Sequence, residues 1–140
     1  MNDVKETFDD LLLNDPEMVA NFIAEAKEHL DSIEDDFLHL EKQKEHPDPE
    51  LLNKVFRAIH SVKGAAGFLN LDTMTRLAHV MEALLANMRS GKIRPESQYV
   101  DALLTGVDRL SLMLDDVAHH QDVDITGVQG RLTELLEGRA

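Results

Sequence analysis

The chain has 140 residues, 43% of them hydrophobic but only 4% aromatic, with no Trp and no Cys. That length suits one domain with a real core, the shortage of aromatic and turn residues disfavours a β-sandwich or barrel, and without Cys there are no disulfides, thiol nucleophiles or thiolate metal sites. Lys and Arg number 14 against 27 Asp and Glu, a formal charge of −13, so neither nucleic acid nor an anionic membrane surface is expected as a partner. No apolar run approaches the roughly 18 residues of a bilayer span, and the first residues lack the basic and apolar regions of a signal peptide. A cytoplasmic helical domain is the expectation.

Taken in order, Val4, Phe8, Leu11 and Leu12 suggest a short N-terminal helix. Asp15-Pro16-Glu17 then opens the first long helix with a capping carboxylate, a Pro in the first turn and an acid beside the helix dipole. Val19, Ile23, Ala26, Leu30, Ile33, Phe37 and Leu40 run in steps of three and four, one stripe along a helix of roughly 45 Å. Asp48-Pro49-Glu50 repeats the start signal for a second helix with Leu52, Val55, Ile59, Val62, Ala66 and Leu69 inward. After a break at Asn70-Leu71, Asp72 is expected to cap a third helix with Met74, Leu77, Ala78, Met81, Leu84, Leu85 and Met88 inward. Ser90-Gly91 stops it, Pro95 restarts the chain, and Val100, Leu103, Val107, Leu110, Leu114 and Val117 mark a fourth. Residues 119–127 read as loop, and Val128, Leu132, Leu135 and Leu136 as a last short helix. The spacing predicts an all-α, antiparallel up-down four-helix bundle over 15–118, preceded by a segment at 1–14 and followed by a loop and C-terminal helix at 119–140.

The informative residues lie beside the core stripes. Phe56, His60, Lys63 and Gly67 form a row on the second helix, with Gly64 one turn after His60. Each glycine inside a helix costs about 1 kcal/mol relative to Ala. Bare backbone there admits either a neighbouring helix or an outside partner. On the third helix His79 and Glu82 stand three residues apart. His60 lies roughly 15 Å before the Asn70 break, and His79 and Glu82 roughly 13.5 and 18 Å after it. An antiparallel hairpin therefore brings two imidazoles, a carboxylate and an ammonium to one height. A neutral imidazole is a nucleophile through its unprotonated nitrogen. A carboxylate accepting from Nδ1–H fixes that tautomer and frees Nε2. The carboxylate also favours the unreactive imidazolium, which the Lys63 ammonium opposes; that ammonium can offset the charge of a phosphoryl group on Nε2.

Residues 56–67, Phe-Arg-Ala-Ile-His-Ser-Val-Lys-Gly-Ala-Ala-Gly, resemble the signature of histidine phosphotransfer domains. His79-Val80-Met81-Glu82 resembles the His-x-x-Glu on the next helix of the chemotaxis histidine kinase (CheA) group within that family. The resemblance runs over about residues 17–137 and includes the extra C-terminal helix. It implies that His60 is the phosphorylated residue, with Lys63, His79 and Glu82 in support and Arg57, Gly64 and Gly67 where partners dock. It further implies a separate ATP-binding kinase domain as donor and the aspartate of a response regulator as acceptor, with ATP and Mg²⁺ on those partners. The chain itself has no Gly-rich nucleotide loop or kinase signature, so no cofactor is expected on it, and its standing as an enzyme depends on the chain it belongs to.

Other readings remain. A free-standing phosphorelay protein keeps the chemistry and changes the context, and a non-catalytic helical interaction module makes His60 incidental. A bundle metal site is disfavoured: Asp36-x-x-His39 is expected on the solvated side of the first helix, and the fourth offers only apolar residues inward. His29, His39 and His46 belong to a polar face, His119 and His120 to the loop, and Met74, Met81, Met88 and Met113 to the core. The charge is uneven. Residues 1–46 carry fourteen acids and four bases, whereas 54–94 carry seven bases against Asp72 and Glu82, so the hairpin around His60 is locally basic.

Overall fold

A computed structural model describes residues 7–138. It is all-helical among those residues: α1 Phe8–Asn14, α2 Pro16–Asp31, α3 Ile33–Lys42, α4 Pro49–Phe68, α5 Asp72–Arg89, α6 Ser97–Asp115, a 3-10 turn Val117–Asp122, and α7 Thr126–Leu136. The two Asp-Pro starts behave as their chemistry requires. Asp15 accepts a hydrogen bond from the Met18 N–H and Asp48 one from the Glu50 N–H, each ahead of a Pro at the first helical position. α5 begins differently: Leu71 occupies the capping position without a side-chain bond, and Asp72 is the first helical residue rather than the cap. The turn before it is made by Asn70 at φ 58°, a left-handed conformation that Asn tolerates. Gly91, at φ 84°, ends α5 as expected.

The four apolar stripes meet in one core. Phe37, Leu40, Ile59, Val62, Leu77, Met81, Leu84, Leu103, Leu110 and Leu132 are sealed from solvent. α4 packs most extensively on α5, while α2 and α3 lie against α4 and α6, and α7 covers α5 and α6. Close approach between α5 and α6 occurs at Gly106, where an added Cβ would stand 2.7 Å from the sulfur of Met81. α1 contributes only half-buried Phe8 and Leu11; Leu12 is exposed, and Val4 lies outside the described residues.

Three further expectations need correction. The first long helix is broken at Ser32, whose φ/ψ of −105°/2° leave the helical region. The stripe continues across the break because Leu30, Ile33 and Phe37 keep their spacing. Asp36 is not solvated: it is 8% exposed and bound to Lys54 at 3.0 Å, with Ser32 beside both groups. An acid can occupy that position because a cation from α4 neutralises it. The segment after α6 is ordered as a 3-10 turn in which Val117 and His120 are buried, Nδ1 of His120 lying 3.1 Å from the Val117 carbonyl. His119 points outward to Asp116.

Candidate functional site

His60 stands on the solvent-facing side of α4, its side chain 61% exposed although Ile59 beside it is sealed in the core. A single helical step separates the two environments, so the ring is held on a rigid element yet remains open. Across the seam on α5, Glu82 faces it with 15% of its side chain exposed. Nδ1 of His60 is hydrogen-bonded to Oε2 of Glu82, and Nζ of Lys63 donates to Oε1 at 2.8 Å. One carboxylate thus holds both groups.

Burial by itself pushes the Glu82 carboxyl upward. The hydrogen bonds and charges of Lys63 and His60 outweigh that, and the group sits below its ordinary value. Glu82 is therefore an anion at neutral pH, able only to accept, and the proton between it and the ring belongs to Nδ1. In the neutral imidazole Nε2 then carries the free lone pair, and it has no hydrogen-bond partner among the described residues.

The structure brings together His60, Lys63 and Glu82 from the expected set, and leaves His79 apart. His79 is exposed and makes no hydrogen bond or ion pair with His60 or Glu82. It lies one turn nearer the Asn70 connection than Glu82. Lys63 is also placed more specifically than its sequence position suggested, because its ammonium is bound to Glu82.

Gly64 and Gly67 settle the choice between a close helix contact and open space. A Cβ added at either would meet nothing within 4 Å. Beyond His60, Gly64 and Gly67 present bare backbone to solvent, bordered by Phe68, which is 53% exposed and stacked on Phe22 with centroids 4.8 Å apart. Arg57, one turn before His60, is exposed.

Two residues at the site escaped the sequence reading as a pair. Phe56 lies beside the His60 ring, and the Arg89 guanidinium of α5 sits 3.7 Å from the Phe56 centroid. Their signal was the distance each keeps from the central pair: Phe56 comes four residues before His60, and Arg89 seven after Glu82. Among the described residues no three His, Asp or Glu side chains cluster as metal ligands, and no helix is long and apolar enough to cross a membrane.

Comparison with known proteins agrees with the resemblance carried by residues 56–67. The family model for the Hpt domain matches residues 17–120. The sensor histidine kinase CheAY of Helicobacter pylori is 36% identical over 98 residues, 70% of this chain and 12% of that protein. The CheA phosphotransferase domain from Thermotoga maritima is 37% identical, with a TM-score of 0.66 over 73% of this chain and 95% of that one. The phosphorylated P1 domain of CheA3, solved in complex with CheY6 from R. sphaeroides, is 26% identical, with a TM-score of 0.74 over 89% of this chain and 98% of that one. The chain spans 12 to 17% of the length of the curated relatives it matches first.

Proposed function

The chain belongs to the Hpt domain family, and on that premise we propose that His60 accepts a phosphoryl group from an ATP-binding kinase domain and passes it to an aspartate of a response regulator. One observation carries the reading: an exposed histidine whose Nδ1 is tied to a buried-side carboxylate, with Nε2 left open. In the forward step the Nε2 lone pair forms a bond to the γ-phosphorus of ATP. The bond from phosphorus to the bridging oxygen breaks, and its electron pair leaves with ADP. Nδ1 keeps its proton against Glu82, which stabilises the positive charge the ring acquires. In the onward step a carboxylate oxygen of the regulator's aspartate bonds to phosphorus, the N–P bond breaks, and its electron pair returns to Nε2, leaving the ring neutral.

Catalysis here is mostly positioning and charge compensation. Glu82 orients the ring, and Lys63 holds Glu82 and supplies positive charge near the incoming group. ATP, Mg²⁺ and the acceptor's acidic pocket belong to the partner domains. Relatives named as a sensor histidine kinase and as chemotaxis proteins, and a P1 domain solved with CheY6, support the reading of this chain as the phosphotransfer piece of a chemotaxis-type kinase; on that reading it works in the cytoplasm with kinase and receiver domains.

Incubation with a CheA-type kinase core and labelled ATP should yield an acid-labile, base-stable phosphoprotein. His60→Gln should abolish the label. Label of the same stability on His60→Gln would overturn the assignment.

A further inference from the structure

A hydrogen bond at one ring atom does not fix a ring. With Nδ1 of His60 held by Glu82, the imidazole can still tilt about the line joining the two groups, and tilting swings Nε2 away from an attacking line. In-line transfer needs the lone pair, which lies in the ring plane, to point at phosphorus. Something must hold the plane, and a side chain 61% exposed has few neighbours that can.

Phe56 is such a neighbour. Its ring lies within 10° of parallel to the imidazole, with centroids 6.0 Å apart, inside the range of offset aromatic stacking. Phe56 is itself anchored twice. It is partly buried against the hydrophobic core, and the Arg89 guanidinium covers a face of the ring at 3.7 Å, well within cation–π reach. Arg89 comes from α5, as Glu82 does. The α4–α5 seam is therefore clasped at two points, and both end on the same imidazole.

We propose that Phe56, pinned by Arg89, is a positioning residue that fixes the plane of the His60 imidazole and so aims Nε2 at the incoming phosphoryl group. The proposal rests on His60 being the phosphoacceptor, and the test separates the two ideas. Phosphoramidate serves as the donor with the whole 140-residue chain, so that no protein partner docks. Nε2 bonds to phosphorus, the P–N bond of the donor breaks, and ammonia leaves.

Phe56→Leu keeps apolar volume and removes the flat ring. It should lower the maximal rate of His60 phosphorylation by about ten-fold, with little change in the donor concentration giving half that rate. The Hδ2 and Hε1 resonances of His60 should lose their ring-current displacement. Phe56→Tyr should restore both. Arg89→Gln, a change at an exposed residue that leaves the core intact, should give an intermediate loss, and Arg89→Lys should recover most of it. Wild-type rates and His60 resonances in both Phe56→Leu and Arg89→Gln would overturn the proposal. A loss confined to kinase-driven phosphorylation would also overturn it, since Phe56 would then be a docking contact. Label retained by His60→Gln would instead remove the phosphoacceptor reading.

Discussion

The ammonium of Lys63 and the carboxylate of Glu82 meet at 2.8 Å across the α4–α5 seam, while the second oxygen of the same carboxylate holds His60. Glu82 ionises below its ordinary value because those two partners outweigh its burial. A carboxyl shifted down on folding contributes stability above its unfolded value and loses it as pH falls through the folded one. Wild type should therefore exceed Glu82→Gln in stability near neutral pH, and the gap should close as pH drops from about 4.5. Urea unfolding from pH 7 to pH 3 measures it; a gap that does not change with pH would count against the ion pair.

Lys63→Met leaves the carboxylate without its ammonium and with only the imidazole as partner. Because both side chains are partly exposed, the expected loss is only about 1 kcal/mol of stability. The effect on chemistry should be larger, since a loosened Glu82 no longer holds Nδ1. Phosphorylation by labelled ATP and kinase should slow by about ten-fold or more. An unaltered rate would show that Lys63 does not act through Glu82.

Gly64 offers the opposite balance. A methyl group there meets nothing within 4 Å, and Ala is the better helix former, so Gly64→Ala should stabilise the chain by about 0.5–1 kcal/mol. Gly64→Leu should fold equally well and react normally with phosphoramidate, yet pass its phosphoryl group poorly to a receiver domain, because the added side chain stands beside His60. Normal transfer by Gly64→Leu would mean that the bare backbone is not where a partner sits.

Gly106→Val tests the other kind of glycine. Its Cβ would fall 2.7 Å from the sulfur and 2.9 Å from the methyl of Met81, a side chain sealed in the core. Overpacking of this sort should cost about 2 kcal/mol, read as a lowered midpoint in thermal unfolding with the site chemistry unaffected once folded. An unchanged midpoint would show that Met81 can move aside freely.

Much of this was legible in the sequence because helical periodicity is local. Steps of three and four named nearly every core residue of α2 to α7, and two Asp-Pro pairs located two helix starts. Distance along a helix is also local arithmetic, and it placed Glu82 near His60. What the sequence hid depends on contacts between helices. The Ser32 break interrupts no stripe, and it coincides with a cluster of Ser32, Asp36 and Lys54 spread over two elements. Asp36 looked solvated because its cation comes from α4. His79 matched the height estimate even more closely than Glu82 did, but rise per residue does not give side-chain direction. The Phe56–Arg89 contact likewise needs the register of the hairpin, which no single helix encodes.

Every residue assigned to the site lies on α4 or α5, helices joined only by residues 69–71. His60 and Glu82 are 22 positions apart, so closing the chain between them costs little entropy and needs no distant segment. The hairpin should be among the first units to form during folding, before the chain ends dock. α1, which buries no residue, should open and close many times for each opening of the hairpin. Amide exchange should then be slowest across the α4–α5 seam, and the imidazole should keep its partners through every motion short of complete unfolding.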